Sequence, residues 1–502
     1  MAAAPPAPVP SAASRRLRPA PPSPRTLLLV AVPVILVLVL LALVAADPAV
    51  GVTASNGPFT DESWDVMNAR NLVLLGRWAT DDWTLHLVNL PFSVATAAAF
   101  WVLGVGIVQA RLVSIVATGV TAAALGLGLR RHLGAGPAAL ASVAFSGATL
   151  VLFYGRLAFL EPSVAMWLTL GALTVLRAGT ARAGRWGIVA GVLLALAVGT
   201  KPSAIAAVGG MLAAVAVVGA RRPAVRRWVG GAVLSIATLG LGWVAAIWLP
   251  NRQAIADVMR IWAPEPILAP IGTMLHRVLA FPTSNDKFLA QSAPLVACGT
   301  AGWALAAIGW RRLSPEVRLL LALATGWLVA GLGLLAIAPY RPNRYELPML
   351  PALAILVGVG ARVAAGWSGW REARWRVVAG AALATVLVVP GAASQAGWAA
   401  NATYRLPVIQ AQLLAAVPAG SVSQGTYAPA FLMRTGAITI VSRPAADISP
   451  GDLYATRGVR WFVGEDGEAP VWASAHAAAW AARQAVLCSP WGTTHVCVYR
   501  LP

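Results

Sequence analysis

Long apolar segments recur along about four fifths of this 502-residue chain, and they constrain its fold more than any other feature. Most are roughly 17–25 residues long, which is the length of an α-helix that crosses a bilayer. Backbone polar groups find no water partner in lipid, so such a chain folds as a bundle of helices. We predict spans at residues 26–46, 108–129, 136–154, 162–177, 186–200, 203–219, 228–249, 292–309, 318–338, 347–366 and 377–397.

The charged residues alternate between the two sides of these spans. The N-terminal tail and five short loops hold 20 of the 38 Lys and Arg residues and only two acids, Glu316 and Glu372. The longer segments on the other side hold 18 bases and 16 acids. This positive-inside pattern places the N-terminus in the cytoplasm. The net charge of +20 therefore reports topology and contact with membrane lipids, and we expect no nucleic-acid partner.

Residues 91–108 are apolar enough to form one more span. That span would invert every later loop and turn the Arg-rich loops outward, against the charge pattern. We therefore predict a re-entrant or juxtamembrane helix at the outer face.

The chain divides into three parts by composition. Residues 1–25 are rich in Pro and Ala and are predicted to be a disordered cytoplasmic tail. Residues 26–397 form the transmembrane domain, with outer juxtamembrane helices. Residues 398–502 predict a small α/β domain outside the membrane, with strands at 417–425, 437–442, 459–464 and 495–502. We therefore expect an α-helical polytopic protein of the plasma membrane, with about 11 transmembrane helices and an extracytoplasmic C-terminal domain.

Three cysteines occur in the chain. Cys298 lies in a predicted span, where a cysteine packs as a small apolar side chain. Cys488 and Cys497 flank the segment SPWGTTHV in the outer domain. They either form a disulfide that closes a hairpin or remain two reduced thiols.

An acidic pair follows the first span, in the segment FTDESWDVMNARNLVLLG. Thr60 or Asp61 can cap a helix that runs to Leu75, with Gly76 as its stop. The helix dipole would keep Asp61 and Glu62 ionised, and an ionised carboxylate in a partly desolvated site can act as a general base. The alternative is an ordinary surface helix with acidic residues in its first turn.

Further charged residues lie at the outer ends of other spans. They are Arg156 and Glu161 in YGRLAFLEPSVAMW, Lys201 in VGTKPSA, and Arg344 with Tyr345 in APYRPNRYELPML. Charges at span ends are costly unless they are paired or used. Cations there suit a phosphate, and acids suit a nucleophile or a base. Each residue taken alone could instead be an interfacial anchor.

Five segments together resemble a known family, over roughly residues 26 to 400. They are TDESWDVMNARNLVLLGRW, NLPFSVATAAAFWVLGVGIVQARLVSIVATGV, GRLAFLEPSVAMW, GTKPSA and PNRYELPMLPAL. In this order they are similar to the polyprenyl-phosphate-dependent glycosyltransferases of the C-type fold. That group includes the dolichyl-phosphate-mannose protein mannosyltransferases and the bacterial aminoarabinose lipid A transferases.

The resemblance implies an enzyme that transfers a hexosyl or pentosyl unit from a polyprenyl-phosphate carrier at the outer leaflet, with inversion. It implies that Asp61 is the catalytic base, that Glu62 orients the acceptor or the base, and that Glu161 occupies the second acidic position. It assigns the carrier phosphate to the cations and the tyrosine, namely Arg156, Lys201, Arg344 and Tyr345. The acceptor is a hydroxyl on a protein, a lipid or a cell-wall polysaccharide.

The chain departs from the family at one place. Many relatives have Lys-Pro-Pro before the juxtamembrane helix, where this chain has Asn89, Leu90 and Pro91. Some members bind a divalent cation, for which the candidate ligands are Asp81, Asp82, His86 and His276. Their spacing matches no dedicated metal site, so we assign no metal ligand. No cofactor is assigned with certainty, and a divalent cation stays an alternative.

Two other kinds of function remain as alternatives. A transporter would have a polar path across the bilayer and helices broken near its middle. An inactive scaffold would only bind partners through the C-terminal domain. The transferase hypothesis requires that Asp61, Glu161, Lys201 and Arg344 surround one outer site.

Overall fold

The computed structural model describes residues 24–48, 60–78, 89–253, 255–256, 269–284, 286–366, 373–440, 442–443, 446–447, 452–491 and 494–502. Most of the predicted tail, residues 1–23, lies outside this described part. So do the candidate metal ligands Asp81, Asp82 and His86.

The chain is predominantly helical up to residue 399. The helices are α1 Pro24–Ala42, α2 Thr60–Trp64, α3 Met67–Leu75, α4 Leu90–Leu103, α5 Ile107–Leu133, α6 Ala135–Ser146, α7 Thr149–Tyr154, α8 Leu160–Leu173, α9 Ala183–Thr200, α10 Ala204–Gly219, α11 Pro223–Trp248, α12 Ile271–Ser284, α13 Asp286–Ile308, α14 Pro315–Ile337, α15 Asn343–Ala364 and α16 Ala373–Ala399. The first turns of α15, Asn343–Met349, are 3₁₀-helical.

The predicted membrane fold is confirmed. Every predicted span overlaps one of these helices, and α5, α9, α11, α14, α15 and α16 are long and apolar enough to cross a bilayer. Helices α1, α4, α6, α10, α12 and α13 are also apolar but contribute shorter apolar stretches. The protein is thus a multi-pass membrane protein, while the number of eleven spans stays a prediction. The segment predicted to lie at the outer face forms the 14-residue helix α4.

Two membrane helices, α10 and α14, touch through their backbones. A Cβ atom added at Gly326 would lie 2.2 Å from the Gly210 carbonyl oxygen, and one added at Gly210 would lie 2.1 Å from the Gly326 oxygen. In lipid, no hydrophobic effect drives helices together. They associate instead through close contacts between small residues such as these. The two glycines therefore set the distance between these helices.

The C-terminal part forms the predicted small α/β domain. It contains α17 Arg405–Ala416, α18 Ala428–Phe431, α19 Leu453–Arg457, α20 Ala477–Ala481, β1 Val422–Gln424, β2 Ile438–Ile440, β3 Ser442–Arg443, β4 Ala446–Asp447, β5 Val459–Glu465, β6 Gln484–Trp491 and β7 Thr494–Arg500. The main sheet has the strand order β2-β1-β5-β7-β6. β1 runs parallel to β2 and β5, whereas β7 is antiparallel to β5 and β6.

The edge strand β6 was not predicted from the sequence. From Leu487 to Trp491 its side chains alternate in burial, but the polar Ser489 is buried while the apolar Val486 and Pro490 are exposed. The sequence therefore lacks the alternation of apolar and polar residues that reveals a strand. Cys488 in β6 and Cys497 in β7 are paired across the two strands by a disulfide. The structure therefore favours the disulfide over two reduced thiols. Cys298 is a free, half-buried cysteine.

The C-terminal domain is attached to the end of α1 by one carboxylate. Asp47 accepts hydrogen bonds from the N–H groups of Arg405 and Leu406, at 2.8 and 2.9 Å, and from the Thr403 hydroxyl at 2.7 Å. These N–H groups belong to the first turn of α17, which has no partner for them inside the helix. A residue more than 350 positions earlier thus caps α17.

We expect Gly326→Ala to lower the stability of the folded protein, because its methyl group would collide with the backbone of α10. Overpacking of this kind costs about 1–3 kcal/mol. Gly333→Ala on the same helix is the matched control, since nothing lies within 4 Å of its added Cβ. Thermal unfolding in detergent measures both variants, and an unchanged midpoint for Gly326→Ala would contradict the close contact.

Candidate active site

Asp61 is presented by a short helix at one end of the bundle, the end predicted to be the outer one. Helix α2 begins at Thr60, and α3 ends at Gly76, which has the left-handed φ of +65° expected of a C-cap. The predicted single helix is wrong in one respect, because it is interrupted between Trp64 and Met67. The side-chain amide of Asn89 donates to the Asp65 carbonyl at this break, at 2.9 Å.

Four charged side chains from distant parts of the chain form one continuous set of ion pairs. Arg344, in the first turns of α15, donates to the Asp61 carboxylate. Its Nε also lies 3.6 Å from Oε1 of Glu161, in the first turn of α8. The same Glu161 oxygen accepts a hydrogen bond from Nζ of Lys201 at 2.6 Å. Glu161 therefore joins the two cations, and Asp61 lies at one end of the set.

Aromatic rings cover the two cations of this set. Lys201 Nζ is 3.2 Å from the ring centroid of Tyr345, and Arg344 Cζ is 5.2 Å from the same centroid. The Arg344 guanidinium also lies 5.1 Å from the centroid of Phe159. Such contacts attract a cation through the electrons of the ring face. They hold both cations without using all of their hydrogen-bond donors.

Asp61 is the most exposed of the four paired side chains, and Glu161 is the least exposed. The side chain of Glu161 is 2% exposed, those of Arg344 and Lys201 are 11% and 15% exposed, and that of Asp61 is 29% exposed. Glu161 is therefore an interior residue of the cluster. Asp61 is more accessible to an incoming molecule than Glu161 is.

Asp65 belongs to the same electrostatic cluster. Its backbone N–H donates to the Asp61 carbonyl at 2.9 Å, which places it one helical turn after Asp61. Burial raises the pKa of the Asp65 carboxyl well above its usual range, and the charges of Asp61 and Glu161 raise it further. Burial also lowers the pKa of Lys201, whereas Glu161 acts to raise it.

Glu62 lies beside Asp61 in sequence but in a different environment. Its two carboxylate oxygens accept hydrogen bonds from Nε and Nη2 of Arg111 in α5, both at 2.8 Å. The Ala158 N–H adds a third bond at 2.8 Å. Both charged side chains are 1% exposed. Glu62 is thus a fully bonded interior residue that anchors α2 to the bundle.

Arg156 is likewise enclosed by the protein. It is fully buried and donates to the carbonyls of Ala46 at 2.9 Å and of Leu43 and Asp47 at 3.3 Å. Its guanidinium stacks on Trp398, 4.3 Å from the ring centroid. Its Nη1 and Nη2 groups are directed at backbone carbonyls, whereas its buried Nε has no hydrogen-bond partner among the described residues. That Arg156 binds a phosphate stays a prediction.

The structure thus brings together five of the seven predicted site residues, namely Asp61, Glu161, Lys201, Arg344 and Tyr345. Glu62 and Arg156 lie behind them and support the fold. Sequence reasoning missed Arg111 and Asp65. The signal for Arg111 was present, since a single charge inside a predicted span is costly unless it has a partner.

No group of three or more His, Cys, Asp or Glu side chains suited to a metal ion occurs within the described ranges. The candidate ligand His276 is exposed on α12. The other three candidates lie outside those ranges, as stated above.

Comparison with known proteins supports the family resemblance. The model of the dolichyl-phosphate-mannose-protein mannosyltransferase family matches residues 80–246, a third of the chain. The match includes Glu161 and Lys201, while Asp61 and Arg344 lie outside it. A search of curated proteins finds no significant match.

Solved structures share the fold over nearly the whole chain. ArnT from Cupriavidus metallidurans bound to undecaprenyl phosphate has a TM-score of 0.64 at 17% identity, and the match covers 94% of this chain and 97% of that one. Arabinofuranosyltransferase AftD from Mycobacteria has a TM-score of 0.52 at 15% identity, and the match covers 94% of this chain and 40% of AftD. An oligosaccharyltransferase from Archaeoglobus fulgidus, tethered to an acceptor peptide, has a TM-score of 0.52 at 13% identity. That match covers 87% of this chain and 69% of the other. The predicted C-type fold is confirmed.

We expect Glu62→Gln and Arg111→Gln each to destabilise the protein, because either change leaves a buried charge without its partner. Breaking a buried pair costs about 3–5 kcal/mol. The double variant should lose clearly less than the sum of the single losses, since it leaves neither charge behind. Unfolding free energies of the four proteins measure this coupling, and simple additivity would contradict it.

Proposed function

We propose that this protein is an integral membrane glycosyltransferase that moves a monosaccharide from a polyprenyl-phosphate carrier to a hydroxyl acceptor. The observation that carries the proposal is the set of ion pairs linking Asp61, Arg344, Glu161 and Lys201. It meets the condition that separates a transferase from a transporter, since acids and cations from four elements meet at one end of the bundle. The match to a mannosyltransferase family adds support.

Lys201 and Arg344 would bind the phosphate of the carrier. Both are mostly buried, and a guanidinium and an ammonium in a desolvated site interact strongly with phosphate oxygens. The negative charge on the phosphate increases as the sugar leaves, so cations fixed beforehand stabilise the transition state more than the bound donor. The structure of ArnT with undecaprenyl phosphate supports a carrier of this class.

Asp61 would act as the general base. It takes the proton of the acceptor hydroxyl as that oxygen attacks the anomeric carbon of the sugar. The bond from this carbon to the phosphate oxygen breaks, and its electron pair leaves with the carrier phosphate. Attack on the face opposite the phosphate inverts the anomeric centre. Asp61 suits this role because it is the most exposed of the three acids Asp61, Glu62 and Glu161.

Glu161 and Glu62 would act through other residues. Glu161 bonds to Lys201 and lies beside Arg344, so it keeps the two cations at a fixed separation. Glu62 fixes α2 to the bundle through Arg111 and thereby orients the neighbouring Asp61. Tyr345 orients Lys201 with its ring.

The site would face the extracytoplasmic side. The charge pattern of the loops places the N-terminus inside and the segment with Asp61 outside. A membrane-embedded transferase suits such a donor, since the polyprenyl tail stays in the bilayer while the sugar reacts in water-accessible space.

Membranes that contain the wild type should transfer a labelled sugar from one member of a panel of polyprenyl-phosphate sugars. Asp61→Asn should reduce this transfer by at least about 100-fold, the usual contribution of a general base. Glu316→Gln, on the predicted cytoplasmic side, is the control and should keep wild-type activity. Equal transfer by Asp61→Asn would remove Asp61 as the base. A wild type that uses no donor in the panel counts against the transferase function.

Carboxylates are bonded to both of the cations that would bind the phosphate. Asp61 accepts a hydrogen bond from Arg344, and Glu161 accepts one from Lys201. An incoming phosphate must therefore compete with these carboxylates, and it would release Asp61 when it takes Arg344. The base would become available only after the donor has bound, so the donor would bind before the acceptor.

This competition predicts that Asp61→Asn binds undecaprenyl phosphate more tightly than the wild type, although it is inactive. We expect a roughly 3- to 10-fold lower Kd, the effect of about 1 kcal/mol from a partly exposed ion pair. Binding to purified protein in detergent measures it, with Glu316→Gln as the control. Unchanged or weaker binding by Asp61→Asn contradicts the competition, whereas no binding by any protein argues against this carrier.

A further inference from the structure

Arg70, in α3, makes an extensive contact with the C-terminal domain. Its side chain is 2% exposed. Nε donates to the Met433 carbonyl at 2.8 Å, and Nη2 donates to the carbonyls of Thr435 at 2.5 Å, Ala437 at 2.7 Å and Leu432 at 3.4 Å. All four acceptors belong to the segment between α18 and β2. A single arginine thus binds one loop of the C-terminal domain through its backbone.

Apolar side chains continue the same contact toward α2. Trp64 and Met67 are buried in a core that includes Ile440, Leu453 and Trp472 of the C-terminal domain. Helix α2 also packs against α18. The helix that presents Asp61 is therefore part of the hydrophobic core of the C-terminal domain.

The opposite side of these two helices is fixed to the membrane bundle. Glu62 is bonded to Arg111, and the Asp65 carbonyl accepts from Asn89. The segment from Thr60 to Leu75 is thus held between two bodies. Neither body alone provides all of its partners.

We propose that Arg70 is a positioning residue, through which the C-terminal domain holds Asp61 in place for catalysis. The domain is then a part of the active site rather than only a separate acceptor-binding module. This inference rests on the proposed function, because it takes Asp61 as the base. Lysine cannot replace Arg70 fully, since an ammonium group has three donors without the planar geometry of the guanidinium.

Arg70→Gln tests the inference, and Arg318→Gln is its matched control. Arg318, in α14, also donates to backbone carbonyls, those of Trp310 and Arg311 at 2.9 Å. These contacts lie on the predicted cytoplasmic side. Both variants and Arg70→Lys are purified in detergent. Hydrogen exchange of the peptide covering residues 60–78 is measured together with kcat, the donor KM and the Kd for undecaprenyl phosphate.

We expect Arg70→Gln to speed up exchange in residues 60–75 and to lower kcat per phosphate-binding site by roughly 100-fold, as a base displaced by about 1 Å would. The Kd for undecaprenyl phosphate should stay within about threefold of wild type, a change of less than 1 kcal/mol, because Lys201 and Arg344 lie on other elements. Arg70→Lys should recover part of the activity. Arg318→Gln should change neither exchange in this segment nor kcat.

Normalising kcat to the sites that bind phosphate separates a displaced base from a loss of folded protein. Unchanged exchange in residues 60–75, or an unchanged kcat per binding site, overturns the inference while the transferase function stands. A similar loss in Arg318→Gln also overturns it. A wild type that binds the carrier but transfers no sugar overturns the proposed function, and the inference with it.

Discussion

The carbonyl groups that directly follow α1 hold together the candidate active site, the membrane bundle and the C-terminal domain. Arg111 donates to the carbonyls of Val44 and Ala46, and Arg156 donates to the carbonyl of Ala46 as well. The next residue, Asp47, caps α17 with its side chain. Through Arg111 these carbonyl groups are linked to Glu62 and the helix that carries Asp61. The short segment from Val44 to Asp47 thus joins the membrane bundle, the candidate active site and the C-terminal domain.

The sequence predicted the membrane helices well because the requirement behind them is local. A helix in lipid must be apolar along its own length, so each long apolar segment is directly visible in the sequence. The charged residues at the span ends were also identified, because their cost is visible at each position. Their partners were not, since Glu62 meets Arg111 at a separation of 49 residues and Arg156 meets Ala46 at 110. A charge pattern does not distinguish a phosphate-binding arginine from one that binds carbonyl groups. The edge strand β6 escaped prediction for a different reason, because its buried and exposed positions do not correspond to apolar and polar residues.

The candidate site is assembled from elements that are far apart in the chain, and each supplies one or two side chains. Lys201 follows α9, Arg344 begins α15, and Glu161 begins α8. Helix ends suit this purpose, because a side chain there can leave the apolar interior while its backbone stays fixed by the helix behind it. The charges pair with one another at this end of the bundle.

The cap that Asp47 places on α17 also concerns how the protein is made. Asp47 is synthesised some 350 residues before Arg405. The helices from α4 to α16 are synthesised in that interval, before α17 can bind Asp47. The segment with Asp61 lacks its Arg70 contacts during all of that time, because residues 432–437 do not yet exist. The site can therefore be completed only after the C-terminal domain has been synthesised. A chain truncated before residue 432 would lack the contacts of Arg70.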